Sequence, residues 1–446
     1  MSVMALVQAL IFIAAAVVIV VATQPRRLHP FVAILVVAAA FGLASGLSVG
    51  LLGKRFGAGF SQTLYSPGLV IVGAAIIAGI ADSAGAFERI SRSGARARWS
   101  GHAAISSIVG IVAGVGASPS AAFVILSPLL RKFGEKTAAT RSSAMVAPAL
   151  TISASHGLLL FSPVPIAAAS ILGARWDRVA LLGLPIAIVL ATFGMVWARW
   201  FSPASETRSS ADEVRVGNHT ESAWSTAILI LAVAVPLLLL MIQSIGDIPS
   251  EPLGGGADRE RILSLGRPLI LFLAGVGIMV TGQWRLSVKL LGDAAWTENV
   301  FARIVGVLLT VGAAGGLQKL CQETGIAELI GERIAGLPGG VLIPFLVAAV
   351  IKTLQGSSLV AAITAAGMIQ PLLTSLGLDA ENGRAVATLA IGAGAMTVSH
   401  VNDEYFWLVS WNAGLVPARA FVALSLGTLA QGLLALALLL IISAVV

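Results

Sequence analysis

Charged residues are scarce in this chain of 446 residues, and cysteine and tyrosine are scarcer still. Only 11% of the residues are Asp, Glu, Lys or Arg, whereas a soluble globular domain carries about a quarter. The single cysteine, Cys321, excludes a disulfide within the chain and a metal site built from cysteines. The apolar residues, 57% of the total, fall in long runs. This composition excludes a soluble enzyme, a nucleic-acid-binding protein and a disordered chain, and it predicts an all-α polytopic membrane protein.

Apolar runs long enough to cross about 30 Å of hydrocarbon, at about 1.5 Å per helical residue, are predicted to be membrane spans. The ten predicted spans are 3–23, 31–52, 66–86, 143–165, 179–200, 224–245, 263–281, 298–317, 385–411 and 418–444. Polar linkers lie at 201–223 and 247–262. The first run has no positive charge before it and two arginines after it, which indicates an uncleaved span rather than a signal peptide.

Two further apolar regions, 103–130 and 341–376, consist of arms that are too short to span the membrane. The arms are 103–116 and 120–130 around the tip Gly116-Ala117-Ser118-Pro119, and 341–354 and 359–376 around the tip Gln355-Gly356-Ser357-Ser358. A helical arm of 14 residues reaches only about 21 Å. Each region therefore predicts a re-entrant helical hairpin with a polar tip near the middle of the membrane.

The two halves of the chain resemble each other at positions about 240 residues apart. For example, Val72-Gly73-Ala74-Ala75 returns as Val311-Gly312-Ala313-Ala314, and Ser155-His156 returns as Ser399-His400. An odd number of predicted spans separates equivalent points, so the second copy is predicted to be inverted. The predicted units are a first inverted repeat at 1–200 (spans one to five), a cytoplasmic linker at 201–223 and a second inverted repeat at 224–446 (spans six to ten). Inverted repeats with broken transmembrane helices are typical of secondary transporters.

Lys and Arg are more frequent in the loops that are cytoplasmic when both termini lie outside. This bias predicts that both termini of a multi-pass protein surrounded by lipid lie outside. In the bacterial inner membrane, where we expect the protein, that side is the periplasm. The outer loops of this topology include Lys54, Arg55 and Lys319. The net charge of +7 does not indicate a nucleic-acid partner, because the basic residues lie in short loops between apolar runs.

Polar residues inside apolar segments are the candidates for chemistry, because a charge at the bilayer centre costs about 2.5–3.5 kcal/mol. Lys352, in the second hairpin, could bind an anion, snorkel to the interface or pair with a structural carboxylate. The stretch 400–404 interrupts the ninth run, which implies unwound backbone beside a wet cavity or a helix end in the headgroup zone. Asp403 is the first candidate for a coupling proton because burial favours the neutral carboxyl. His400 is the second because imidazole titrates near neutral pH.

The remaining candidates are polar groups at the predicted helix breaks. His156 occupies the place in the first half that His400 occupies in the second, and it could carry a proton or be a structural hydrogen-bonding residue. Serine hydroxyls could bind a polyhydroxylated substrate or satisfy free backbone groups. The predicted substrate-binding residues are Ser118, Ser120, Ser155, His156, Lys352, Gln355, Gly356, Ser357, Ser358, His400, Asn402 and Asp403.

A family resemblance rests on the segments 351–361 (IKTLQGSSLVA), 391–394 (IGAG), 399–403 (SHVND), Phe406-Trp407 and, in the first half, 73–88. With these motifs the chain resembles the gluconate permease (GntP) family over nearly its whole length. The resemblance implies a proton-coupled symporter for gluconate, another sugar acid, D-glycerate or D-serine. The wider ion-transporter superfamily implies an elevator-type architecture with paired hairpins, a moving transport domain and a scaffold that forms a homodimer.

Two stretches depart from the family pattern. Many members carry "PVFFEVGF", with a glutamate, in the first hairpin, where residues 118–124 of this chain read SPSAAFV. Many also carry "PPHPGP" after the first-half histidine, where residues 161–165 read FSPVP. Both stretches lie near the expected binding site, and their small residues leave room for a different anion.

The predicted function is import of a small organic anion by proton symport with alternating access. A sodium-coupled symporter of a carboxylate or a D-serine-like amino acid, with hairpin-tip oxygens around the ion, is a second possibility. A channel is a third, and a membrane-embedded hydrolase that uses Ser155, His156, His400 and Asp403 is a fourth. No Gly-x-Ser-x-Gly elbow surrounds Ser155, and the sequence contains no His-Glu-x-x-His motif. We therefore expect no enzyme, no metal and no cofactor.

Overall fold

The computed structural model describes residues 3–23, 28–86, 108–114, 118–134, 138–160, 162–202, 223–246 and 251–445. These residues form helices and connections, with no β-strand among them, which confirms the predicted all-α class. Within the described ranges, six helices are long and apolar enough to cross a membrane, or seven if a pair bent by 56° is one span.

The first half forms helices α1 to α8. Their bounds are α1 Val3–Ala22, α2 Pro30–Ala44, α3 Val49–Thr63, α4 Leu69–Ser83, α5 Pro119–Gly134, α6 Ala138–Leu158, α7 Pro163–Leu172 and α8 Trp176–Phe201. A π-helical turn, Leu64–Gly68, joins α3 to α4 in one helix of 35 residues. Pro67 lies in this turn and has no N–H for the regular ladder, so a local change of helix type is expected there. Residues 108–114 are also helical.

The second half forms helices α9 to α20. Their bounds are α9 Ala223–Gly246, α10 Gly256–Leu265, α11 Pro268–Gly282, α12 Trp284–Leu291, α13 Ala294–Glu323, α14 Ile326–Ala335, α15 Leu342–Gln355, α16 Ser358–Ile369, α17 Glu381–Ala395, α18 Glu404–Ala413, α19 Pro417–Ala420 and α20 Leu426–Val445. A second π-helical turn, Phe421–Ser425, lies between α19 and α20.

Several predicted boundaries are wrong. The predicted span 31–52 is divided between α2 and α3, because Gly46 adopts φ +85° and Ser48 caps the new helix. The predicted span 66–86 is the second part of the 35-residue helix rather than a separate one. The predicted linker at 247–262 includes part of α10, the shorter member of the bent pair. Apolar runs alone do not mark these changes of direction.

The two predicted helix breaks in the second half are present. α15 and α16 form the arms of the hairpin region, with only Gly356 and Ser357 between them. The ninth apolar run is divided into α17 and α18 by the non-helical stretch 396–403. In the first hairpin region, α5 follows Ser118, whereas Gly116 and Ala117 lie outside the described residues, as do 103–107 and most of the linker at 201–223.

The helices pack in two groups. The first helix group consists of α2, α3, α4, α9, α11 and α13, and the second consists of α5 to α8, α15 to α18 and α20. Within the first group α3 and α13 lie close together, because Gly59 faces Gly315 and a Cβ at either position would collide with the other helix. The groups meet where α13 contacts α15 and α18, and where α4 contacts α5.

Candidate functional site

A cavity of about 410 Å³ lies between the two helix groups. Small-ligand sites occupy about 300–1,000 Å³, so its size suits a metabolite. The first group contributes α3, the π-turn after it and α13, and the second contributes α5, α6, the α15–α16 turn and the start of α18. The ionisable residues in its wall are His156, Lys319, Lys352, Asp403, Glu404 and Tyr405.

A buried ion pair between Lys352 and Asp403 lies in the second-group wall. Lys352 Nζ is 2.6 Å from Asp403 Oδ2, and the two side chains are 3% and 8% exposed. Nζ also donates to the Gly356 carbonyl oxygen at 2.6 Å. Of the interactions that the sequence left open for Lys352, the structure contains the pair with a carboxylate. Each charge compensates the other where neither is fully hydrated.

Asp403 is the N-cap residue of α18. Its Oδ1 accepts the Tyr405 N–H at 2.9 Å, and its Oδ2 accepts the Ser399 hydroxyl at 2.6 Å in addition to Lys352. An N-cap carboxylate satisfies a peptide N–H that has no partner within the helix, and it lies at the positive end of the helix dipole. Three donors from the protein therefore bind this carboxylate, two at Oδ2 and one at Oδ1.

The turn between α15 and α16 packs against the non-helical stretch before α18. Gly356 adopts φ +77°, and a Cβ at this position would collide with the Asn402 carbonyl group. Glycine is therefore required both by the backbone conformation and by the contact. Ser357 then caps α16, with its Oγ accepting the Val360 N–H at 3.4 Å.

Eight of the twelve predicted site residues line the cavity. They are Ser118, Ser120, His156, Lys352, Gly356, Ser357, Ser358 and Asp403. The His156 ring is held by Ser162, whose Oγ lies 2.9 Å from Nδ1 and donates to the His156 carbonyl oxygen at 2.6 Å. Ser162 belongs to residues 161–165, the second stretch that departs from the family pattern. At Ser162 this stretch contacts a residue of the cavity wall.

The other four predicted site residues, Ser155, Gln355, His400 and Asn402, lie behind the cavity wall. Ser155 donates back to the Thr151 carbonyl oxygen within α6 at 3.0 Å. His400 Nε2 and Asn402 Nδ2 both donate to the Thr353 carbonyl oxygen, at 2.8 and 3.0 Å. Ser155 thus satisfies a backbone carbonyl, which was the second role that the sequence allowed for serine hydroxyls. For His400 and Asn402 the contact with the Thr353 carbonyl was not predicted.

Polar residues of α13 were missed as site residues. The prediction that Lys319 lies in an outer loop is wrong. α13 continues past the predicted end at 317 and includes it. Gln318, Lys319 and Gln322 line the first-group wall, and their spacing of three and four residues puts them on one helix face. That spacing is the signal that could have identified them. Arg55 was also assigned to a loop, but it lies in α3 and pairs with Glu323 at 3.2 Å.

Glu404 is a second carboxylate in the wall, and it was not among the predicted site residues. It is the first residue of α18, it is partly exposed, and it lines the cavity together with Ser120 of α5, whose hydroxyl is near its side chain. Its position next to Asp403 in an interrupted apolar run was the available signal.

Known proteins resemble the chain over most of its length. The sequence profile of the GntP family permeases matches residues 4–445. A gluconate permease of Pseudomonas aeruginosa is 26% identical over 397 residues, covering 86% of each chain. A low-affinity gluconate transporter of Escherichia coli K12 is 24% identical over 411 residues, covering 88% of each chain. A D-serine transporter of Escherichia coli O6:H1 is 23% identical over 421 residues, covering 92% of each chain. The resemblance found in the sequence motifs is thus confirmed, and the chain belongs to the GntP family of permeases.

Proposed function

We propose that this chain imports a small organic anion, such as gluconate, a related sugar acid or glycerate, by proton symport. The observation that carries the proposal is the convergence of three helix N-termini and a buried ammonium on one cavity. Ser118, Ser357 and Glu404 lie at the starts of α5, α16 and α18, and all three line the cavity together with Lys352. Helix N-termini carry partial positive charge and free N–H groups, and both favour an anion.

The remaining polar groups suit a substrate with several hydroxyls. The second-group wall offers serine hydroxyls, and the first-group wall offers the amides of Gln62, Gln318 and Gln322. These groups can donate and accept hydrogen bonds along a sugar-acid chain while the carboxylate lies near Lys352.

Transport requires the site to face each side of the membrane in turn. In the proposal, the second helix group is the moving domain of an elevator-type carrier built from inverted repeats, and the first group is the scaffold that forms a homodimer. The cavity between the groups, with most of its charged residues on the second, is the arrangement that such a movement needs. Both termini are proposed to be periplasmic.

The coupling proton is proposed to bind a titratable group of the site. Asp403, the first candidate from the sequence, is in the cavity wall, whereas His400, the second, lies behind it. A second candidate function is sodium-coupled import of a D-serine-like amino acid. Glu404 favours it, because an ionised carboxylate in the wall could pair with an ammonium group of the substrate.

A ligand screen by thermal unfolding of the purified protein tests the proposal. Gluconate or glycerate is expected to raise the unfolding temperature of the wild type, and more so in acidic than in alkaline buffer. Lys352→Ala should lose this shift. A shift with D-serine in sodium buffer and none with the acids would favour the second candidate instead.

A further inference from the structure

We infer that Glu404, rather than Asp403, takes up the proton that enters with the anion, so that the cavity admits an anion only together with a proton. The inference rests on the proposed function, anion import by proton symport, and it assigns the coupling step to a residue outside the predicted set.

The contacts of the two neighbouring carboxylates differ. Asp403 accepts hydrogen bonds from Lys352, Ser399 and the Tyr405 N–H. A proton on Asp403 would remove its negative charge and leave the buried Lys352 ammonium without its counter-charge. We therefore expect Asp403 to stay ionised and paired with Lys352.

Glu404 differs from Asp403 in that no buried cation depends on its charge among the described residues. Among the described residues it takes part in no salt bridge, and the polar side chain near it from another helix is the Ser120 hydroxyl in the same cavity wall. A serine hydroxyl can donate to a carboxylate and can equally accept from a carboxylic acid. The contact with α5 can therefore persist whether or not Glu404 carries a proton. Its partly exposed position in the cavity wall gives water and protons access.

Ionisable groups from several elements line the cavity with Glu404. They are Asp403 and Tyr405 beside it in the chain, Lys352 from α15, His156 from α6 and Lys319 from α13. The described side chains of α5, at 119–130, include no ionisable group, and they contribute the Ser120 hydroxyl. Arg419 lies in α19, which follows the far end of α18, a helix about 15 Å long.

These charges make anion entry depend on the state of Glu404. Lys352 and Asp403 cancel each other, and Lys319 lies on the opposite wall, where its Nζ is 3.5 Å from Gln322 Oε1. With the His156 imidazole neutral, the second-group wall thus has one excess negative charge when Glu404 is ionised and none when it is protonated. A substrate carboxylate near Lys352 would be repelled by ionised Glu404, and it could accept a hydrogen bond from the protonated form. Proton and anion therefore favour each other's binding.

The test uses the full-length protein in sodium-free proteoliposomes, with radiolabelled gluconate as substrate and a pH dye inside. Glu404→Gln has the size of the protonated side chain but cannot release a proton. We expect it to exchange gluconate across loaded vesicles at a rate within about threefold of wild type, independent of pH, and to lose at least 90% of the accumulation and proton influx driven by an acidic exterior. Glu381→Gln is the matched control, because Glu381 pairs with Arg175 at an exposed end of α17.

The outcomes distinguish a failure of the Glu404 assignment from a failure of the proposed function. If wild type accumulates gluconate and Glu404→Gln does so equally, the assignment to Glu404 is overturned while the proposed function stands. If wild type neither accumulates nor exchanges any sugar acid, the proposed function is overturned and the inference with it. Should Glu404→Gln not fold, Glu404→Asp keeps a titratable group. It should shift the pH of half-maximal uptake, whereas an unchanged pH profile contradicts the inference.

Discussion

Lys352 Nζ and Asp403 Oδ2 are 2.6 Å apart, although the residues are separated by 51 positions in the chain. Lys352 lies in the last turn of α15, and Asp403 caps α18, which follows the non-helical stretch 396–403. The pair therefore joins the two interruptions of the second half at one point. Both residues line the cavity, so the same contact stabilises the fold and sets the charge of the site.

Breaking this pair should affect stability and binding together. Lys352→Ala leaves Asp403 buried without its counter-charge, which is expected to lower the free energy of unfolding by about 3–5 kcal/mol. It should also weaken gluconate binding at least tenfold, while Lys352→Arg keeps part of it. Calorimetric titration and thermal unfolding in detergent measure the two effects. Removing both charges with Lys352→Ala and Asp403→Ala should recover part of the stability but not the binding. Unchanged binding in Lys352→Ala would mean that the lysine is purely structural.

Gly356 should tolerate no side chain. Gly356→Ala combines a positive φ with a collision with the Asn402 carbonyl, and a backbone strain of this kind costs about 1–3 kcal/mol. We expect a lower unfolding temperature and loss of gluconate binding. Gly367→Ala is the control in the next helix, where a new Cβ meets no atom within 4 Å and should be neutral or slightly stabilising. Equal effects of the two substitutions would refute this account of the turn.

Cysteine labelling can separate cavity residues from those behind the wall. In a background with Cys321→Ala, Ser118→Cys and Ser357→Cys should react with a small water-soluble thiol reagent, and gluconate should slow the reaction. Ser155→Cys should stay unlabelled, because Ser155 is 1% exposed and does not line the cavity. Labelling at Ser155→Cys as fast as at Ser118→Cys would contradict the described wall.

The number of protons can be tested by voltage. If Glu404 alone carries a proton, one proton accompanies one gluconate monoanion, and transport moves no net charge. Uptake driven by a pH gradient should then change by less than about 1.5-fold when a potassium diffusion potential makes the interior negative. A several-fold increase would require at least two protons per anion and a second titrating group.

The positions where helices break were partly predictable from the sequence, because glycine, serine and charged residues interrupt otherwise apolar runs there. This signal identified the α15–α16 turn and the gap between α17 and α18. It failed between α2 and α3, where a short break lies inside a run that is apolar on average. Hydropathy reports which residues avoid water, but it does not report where the backbone turns.

The pairing of side chains was not predictable in the same way. Lys352 and Asp403 were each identified as unusual, but no local pattern states that residues 51 positions apart will meet. His156 and His400 occupy corresponding places in the predicted repeat, yet of the two only His156 lines the cavity, because His400 lies in a non-helical stretch that directs it to the Thr353 carbonyl. Lys319 was misplaced because a helix that faces a wet cavity can continue beyond its apolar run.

The most direct test of the central claim is gluconate uptake by the wild-type protein in proteoliposomes without sodium. With an acidic exterior and an alkaline interior, the account predicts accumulation above the external concentration, which disappears when a protonophore removes the pH gradient. Accumulation that does not depend on the pH gradient and occurs only with a sodium gradient would contradict proton symport.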